Sequence, residues 1–178
     1  MTPDEIRALI RTVPDFPAQG IQFRDITTLI AHGAGLAATI DRLADAAGPT
    51  RAEAVAGIEA RGFIFGAALA VRLGLGFVPV RKAGKLPVKA IGIDYALEYG
   101  NARIEIDPGA VSQGERVLLV DDLIATGGTA LAAAQLLRQA GATVEHALFV
   151  IDLPELGGAD ALRAADVACD ALVAFDGH

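Results

Sequence analysis

Short, uninterrupted apolar runs separated by helical stretches constrain this chain more than any other feature. Residues 54–58, Phe77-Val78-Pro79-Val80, Val117-Leu118-Leu119-Val120, residues 147–151 and residues 172–175 are such runs. Each is too brief for a helix and lacks the in–out alternation of a half-exposed strand, so each reads as a strand buried on both faces. Helical patterns lie between them: residues 35–47 with Leu36, Ile40 and Leu43 apolar, a stretch running to Leu73, and another beginning near Thr129. Strands and helices in this alternation build an α/β fold, an open, twisted, mostly parallel sheet with helices on both faces. The length of 178 residues suits one domain spanning 1–178.

Two segments depart from this rhythm. Residues 2–13 read as an opening helix: Thr2-Pro3-Asp4-Glu5 is a capping box with proline at the first helical position, and Ile6, Leu9, Ile10 and Val13 share a face. Pro14 and Pro17 end it, and residues 15–25 carry turn chemistry with aromatics and are expected to be irregular. Residues 14–32 are expected to make a small N-terminal hood, in keeping with the family resemblance given below. The second departure is residues 81–107, where Arg81, Lys82, Lys85 and Lys89 precede two segments with period-2 alternation. That pattern predicts a flexible hairpin lid folding out from the sheet.

Composition narrows the function classes. Fifteen Lys and Arg against 22 Asp and Glu give a net charge of −7, the wrong sign for a nucleic-acid backbone binder. The longest apolar stretch, residues 63–80, is broken by Arg72, glycines and Pro79, so no membrane span is expected. The N-terminus lacks a basic start and a hydrophobic run, so it does not read as a signal peptide. Cys169 is the one cysteine, which excludes an intrachain disulfide and fits a reducing compartment; the expected location is cytoplasmic. His32, His146, His178 and Cys169 show no nucleophile or metal-ligand spacing.

The chemistry concentrates in residues 117–129. A buried strand delivers Asp121 and Asp122 to its C-terminal edge, where open α/β sheets bind ligands. Ala125-Thr126-Gly127-Gly128-Thr129 then leads into a helix, its glycines letting the backbone approach a ligand. Free amides at that helix start, the positive end of its dipole and two hydroxyls make an anion seat. One turn therefore offers a phosphate cradle beside two carboxylates able to accept hydrogen bonds from a sugar diol, which is what a ribose 5-phosphate requires. No Gly-Lys-Ser/Thr follows, and the glycine spacing is wrong for a dinucleotide fingerprint.

Residues 120–129 resemble the phosphoribosyl pyrophosphate (PRPP) signature of type I phosphoribosyltransferases. Residues 16–27, Glu59-Ala60-Arg61-Gly62 with residues 77–87, and residues 95–100 resemble, in the same order, the branch of that family acting on adenine. Gln22, where an aliphatic residue is common, and Ala83, where proline is frequent, depart from the pattern.

The resemblance implies replacement of pyrophosphate on C1 of PRPP by adenine N9, giving AMP. It assigns Ala125, Thr126, Gly127, Gly128 and Thr129 to the 5-phosphate, and Asp121 and Asp122 to the ribose hydroxyls. Glu59, Ala60 and Arg61, with Arg81, Lys82 and Lys85, face pyrophosphate; a fork-shaped guanidinium such as that of Arg61 matches phosphate oxygens. A non-proline cis peptide is implied between Glu59 and Arg61. Glu98 is the implied proton-transfer residue, Tyr99 helps lock the lid, and Arg61 completes the catalytic set. Gln22, Phe23 and Arg24 form the adenine pocket. Mg2+ is implied as cofactor, held mainly by substrate and water rather than by protein ligands, and a homodimer is implied by the basic segment. Two other readings use the same residues: a PRPP- or nucleotide-sensing regulator, and an enzyme for another base such as xanthine or orotate. The acidic charge and the short stretch before the hood weigh against the first.

Overall fold

The computed structural model describes residues 1–96 and 100–177. Helix α1 (Pro3–Ala8) starts with the expected capping box: the Glu5 amide donates to Thr2 Oγ1 and the Thr2 amide to the Glu5 carboxylate. It ends five residues earlier than periodicity predicts. Residues beyond it form strand β1 (Arg11–Pro14), paired antiparallel with β2 (Gln22–Asp25). This corrects two expectations, a helix continuing to Val13 and an irregular stretch through Asp25. The spacing of Ile6, Ile10 and Val13 suits a helix, yet cross-strand partners decide: Arg11 pairs with Asp25, and Thr28 Oγ1 caps the Leu9 carbonyl at 2.5 Å. The Phe16–Pro17 bond between the strands is cis.

Next come α2 (Thr27–Ala31) and α3 (Gly33–Ala47). His32 closes the junction, its Nδ1 accepting from the Gly35 amide at 2.9 Å, so it is an N-cap rather than a ligand. The remaining elements are β3 (Ala54–Ile58), α4 (Arg61–Leu73), β4 (Gly76–Lys82), β5 (Ile91–Ala96), β6 (Asn101–Ile106), β7 (Val117–Ile124), α5 (Gly128–Gln139), β8 (His146–Asp152), α6 (Gly158–Ala164) and β9 (Ala168–Ala174).

Seven strands form one sheet in the order β5-β6-β4-β3-β7-β8-β9. The five from β4 to β9 are parallel, whereas β6 joins β4, and β5 joins β6, antiparallel. The hairpin therefore extends the sheet through the Arg81–Glu105 and Lys82–Ile104 pairs. Its root does not fold out from the sheet, because Ile104 and Ile106 are buried under it.

Alternate residues of each strand feed opposite faces. Ala54, Ala56, Val117 and Leu119 pack with α5 and Leu162, while Val55, Leu118 and Val120 pack with Leu43, Phe65 and Leu69 of α3 and α4. Cys169 is buried in the first of these layers, and burial pushes its thiol up to about 11. Native protein is thus expected to show no thiol reactive toward Ellman's reagent at neutral pH, and one per chain after denaturation; prompt labelling of the folded protein would contradict this packing. No helix of the described residues is long and apolar enough to cross a membrane.

Topology locates the crevice. From β3 the chain moves one way to β4, and from β7 the other way to β8 and β9. The C-terminal ends of β3 and β7 are thus the switch point where doubly wound sheets bind ligands.

Candidate active site

Strand β7 does not stop before the acids, as the apolar run alone suggests; it continues to Ile124. Its pairing with β3 ends at Gly57–Val120, while its pairing with β8 runs on to Ile124–Asp152. Asp121 and Asp122 therefore sit on rigid strand backbone with their β3 side open to the crevice. Helix α4 begins hard against them: a Cβ on Gly62 would lie 2.7 Å from Asp121 Oδ1 and 3.0 Å from the Val120 carbonyl. Only glycine lets this helix start so close.

The acid pair is tightly set. The Asp122 amide donates to Asp121 Oδ1 at 2.9 Å, and Asp122 Oδ2 pairs with Arg61 Nε at 2.9 Å. Burial pushes Asp121 well above the usual carboxylate range, and the neighbouring Asp122 charge adds to this. Asp122 is also raised by burial, with Arg61 opposing.

Beyond β7 the loop turns at Gly127 (φ +84) into α5. The helix has no side-chain cap, and its first internal bond is Leu131 N–H to the Gly127 carbonyl. The leading amides have no partner within the helix, and Gly128, Thr129 and Ala130 line the cavity, the arrangement in which helix starts bind anions. Gly158, which nothing in local sequence marks, supports this loop: its amide donates to the Ala125 carbonyl at 2.9 Å.

On the β3 side the Glu59–Ala60 peptide is cis, in agreement with the expectation for that loop. Glu59 accepts from the Lys82 amide at 2.9 Å and from Arg81 Nε at 3.3 Å, and the Lys82 amide, followed by Arg81, holds its carboxyl below the ordinary value. Glu59 therefore ties β3 to β4. Arg81 in turn donates to the Lys85 carbonyl at 3.0 Å, shaping the basic turn.

These edges enclose a cavity of about 690 Å³. Glu59, Arg61, Lys82, Asp121, Asp122, Ala125, Thr126, Gly127, Gly128 and Thr129 line it together. Ala60, Arg81 and Lys85 are not among its lining residues. Tyr95 and Arg103, from the hairpin, line it as well. Sequence reasoning missed both, although their strand alternation was visible. The Thr129 hydroxyl donates toward the Tyr95 hydroxyl at 3.4 Å, and Arg103 pairs with Asp94 and Glu105.

Gln22, Phe23 and Arg24 are not in this lining. Phe23 meets Phe16 edge-on at 5.2 Å and, with Val13 and Asp25, bounds a separate depression of about 380 Å³. Glu98 and Tyr99 lie outside the described residues. Among the described residues, no cluster of three or more His, Cys, Asp or Glu is able to hold a metal ion.

Comparison with known proteins agrees with this geometry. Residues 21–171 match the family model described as phosphoribosyl transferase domain. The chain belongs to the phosphoribosyltransferase family. This phosphoribosyltransferase is 71% identical to the adenine phosphoribosyltransferase of Erythrobacter litoralis, over all of both chains. It superimposes on the crystal structure of adenine phosphoribosyltransferase from Thermoanaerobacter pseudethanolicus with a TM-score of 0.92 at 44% identity, covering 98% of this chain and 100% of that one. The Saccharomyces cerevisiae enzyme, solved in complex with an imino-altritol bisphosphate and adenine, gives 0.88 at 36% identity, covering 96% and 98%.

Proposed function

We propose that this phosphoribosyltransferase transfers the 5-phosphoribosyl group of PRPP to N9 of adenine, releasing pyrophosphate and forming AMP. The observation that carries the reading is the switch-point cavity, where an uncapped helix start and an adjacent acid pair, Asp122 buried and Asp121 half-buried, sit on consecutive parts of one strand–turn–helix. The amides of Gly128 and Thr129, with the Thr126 and Thr129 hydroxyls, hold the 5-phosphate. Asp121 and Asp122 accept hydrogen bonds from the ribose hydroxyls and lie where positive charge develops on the sugar as its C1 bond to pyrophosphate loosens.

Arg61, Lys82 and Arg103 bring positive charge to the leaving-group side of the cavity. Arg61 is already oriented by Asp122, so its guanidinium needs little reordering to meet pyrophosphate oxygens. Glu59, Ala60, Arg81 and Lys85 shape that side. Glu98 exchanges a proton with the purine ring, and Tyr99 closes the lid over it, excluding water from the oxocarbenium-like centre. Gln22, Phe23 and Arg24 belong to the hood that receives adenine.

Magnesium fits this donor set as a partner of the substrate. The chain offers two adjacent carboxylates, Asp121 and Asp122, the second already engaged by Arg61, so substrate oxygens and water would supply most of the ion's ligands. When bound it neutralises charge on the pyrophosphate. Adenine phosphoribosyltransferase activity places the protein in purine salvage, with a homodimer and a cytoplasmic location as parts of the same reading.

The test is pyrophosphate release with PRPP, Mg2+ and each base supplied singly. Release with adenine, and at least ~100-fold less with hypoxanthine, is expected, because a site that pairs a 6-amino donor leaves a 6-oxo group unmatched. Turnover with hypoxanthine alone would overturn the substrate assignment, and silence with every base would favour a PRPP sensor.

A further inference from the structure

Arg24 was expected to face the base, yet its side chain turns to the end of the chain. From β2 its Nη1 donates to Thr12 Oγ1 of β1 at 2.6 Å. Its Nη2 donates to the Asp176 carbonyl at 2.7 Å and the Gly177 carbonyl at 3.0 Å, and Nε is buried without a partner. The guanidinium lies 4.7 Å from the centroid of the Phe175 ring, and Arg7 of α1 lies 4.8 Å from the same centroid. Phe175 is itself 7% exposed, and its amide donates to the Asp152 carbonyl, at the end of β8, at 3.0 Å.

A two-stranded hairpin of four-residue strands has little intrinsic stability. Its position relative to the main sheet must come from what it is fastened to. The fastening runs from β1 and β2 through Arg24 to Phe175, and from Phe175 to the C-terminal end of β8, the strand paired with the one that carries the acid pair.

We propose that the C-terminal tail, through Phe175 clasped by Arg7 and Arg24, is the positioning element that sets the hairpin of β1 and β2 over the active site and thereby sets affinity for the base. Phe175, Arg7 and the Arg24 side chain are positioning residues; none of their contacts is with the phosphate seat. The inference rests on the reading that residues 14–32 receive adenine.

The experiment is steady-state kinetics of the full-length enzyme with Phe175→Leu, Phe175→Tyr and Arg7→Gln. Leucine keeps apolar volume but removes the π face that both guanidiniums use, so KM for adenine should rise about tenfold while KM for PRPP stays within about twofold. Tyrosine keeps the ring and should restore the adenine KM. Arg7 is exposed, so Arg7→Gln keeps the test available should Phe175→Leu fold poorly; it should raise the adenine KM about threefold. Equal changes in both KM values, no change in either, or failure of tyrosine to rescue would overturn the latch. Absence of adenine turnover in the wild-type protein would instead strike the functional reading beneath it, so the two failures are told apart.

Discussion

Replacing Gly158 by alanine is expected to lower kcat/KM for PRPP about a hundredfold, with the fold retained. The residue opens α6, far in sequence from the phosphate loop, yet a Cβ there would fall on the Ala125 carbonyl and stand 2.7 Å from the Gly127 nitrogen and 2.8 Å from Ile124 Cγ1. Two of these three atoms are backbone, so no side chain can swing aside to relieve the clash. Gly127 is equally confined: at φ +84 its own Cβ would lie 2.9 Å from the Gly158 carbonyl. The loop must shift, and overpacking of this sort costs about 1–3 kcal/mol. Shifting the loop moves the amides off their target, and ~2.7 kcal/mol of lost binding corresponds to a factor of about one hundred. Gly33→Ala is the control, since a Cβ there meets nothing within 4 Å. Kinetics with PRPP varied, read beside thermal melts, decide it. Unaltered kinetics in Gly158→Ala would mean that the loop is not the phosphate seat.

The second large effect concerns the acid pair. Asp122→Asn removes the anion that holds Arg61 and, on the proposed reading, a sugar hydroxyl. Two charge-assisted hydrogen bonds at roughly 1.5–3 kcal/mol each are weakened, so kcat/KM should fall by about 10²–10³. Asp121→Asn carries a pH signature as well. Burial, and then the Asp122 charge, raise the Asp121 pKa in the folded protein. Because the folded value lies above the unfolded one, the unfolded chain gives up this proton first. The contribution to stability is therefore full below the unfolded pKa and is lost as pH rises through the folded one. Ligand binding runs the other way: the diol needs the ionised acceptor, so PRPP affinity should weaken as pH falls through the raised value. That acid limb should begin above the ordinary aspartate value of about 3.9, and Asp121→Asn should move it to lower pH. Calorimetric titration of PRPP into both proteins across the acid range reads this directly, since the phosphates of PRPP titrate identically in each. Coincident limbs would remove Asp121 from the sugar site.

Much of this architecture was legible in residue order because the signals are local. Apolar runs of four or five residues mark doubly covered strands, and β3, β4, β7 and β8 lie where such runs stand, while β9 overlaps the fifth run but begins four residues before it. The phosphate turn was readable for a related reason: strand, acids, glycines and helix are contiguous, so one segment of chain builds most of one site. Boundaries were harder. Ile6, Leu9, Ile10 and Val13 fit a helical face, and only the pairing of Arg11–Pro14 with Gln22–Asp25 makes the second half a strand.

What the sequence by itself determined was therefore the class of fold, the order of its main strands, and the turn that seats an anion beside two carboxylates. The tertiary structure alone decided which distant residues complete that site. Gly158 touches the phosphate loop across more than thirty positions. Arg81 rather than Arg61 answers Glu59, leaving Arg61 to Asp122. Arg24, chemically suited to a ligand, is taken by the tail. The physical reason is common to all three. A short-range pattern sets backbone conformation, whereas the choice among several possible partners for a charge or a tight contact depends on which strands the topology makes neighbours.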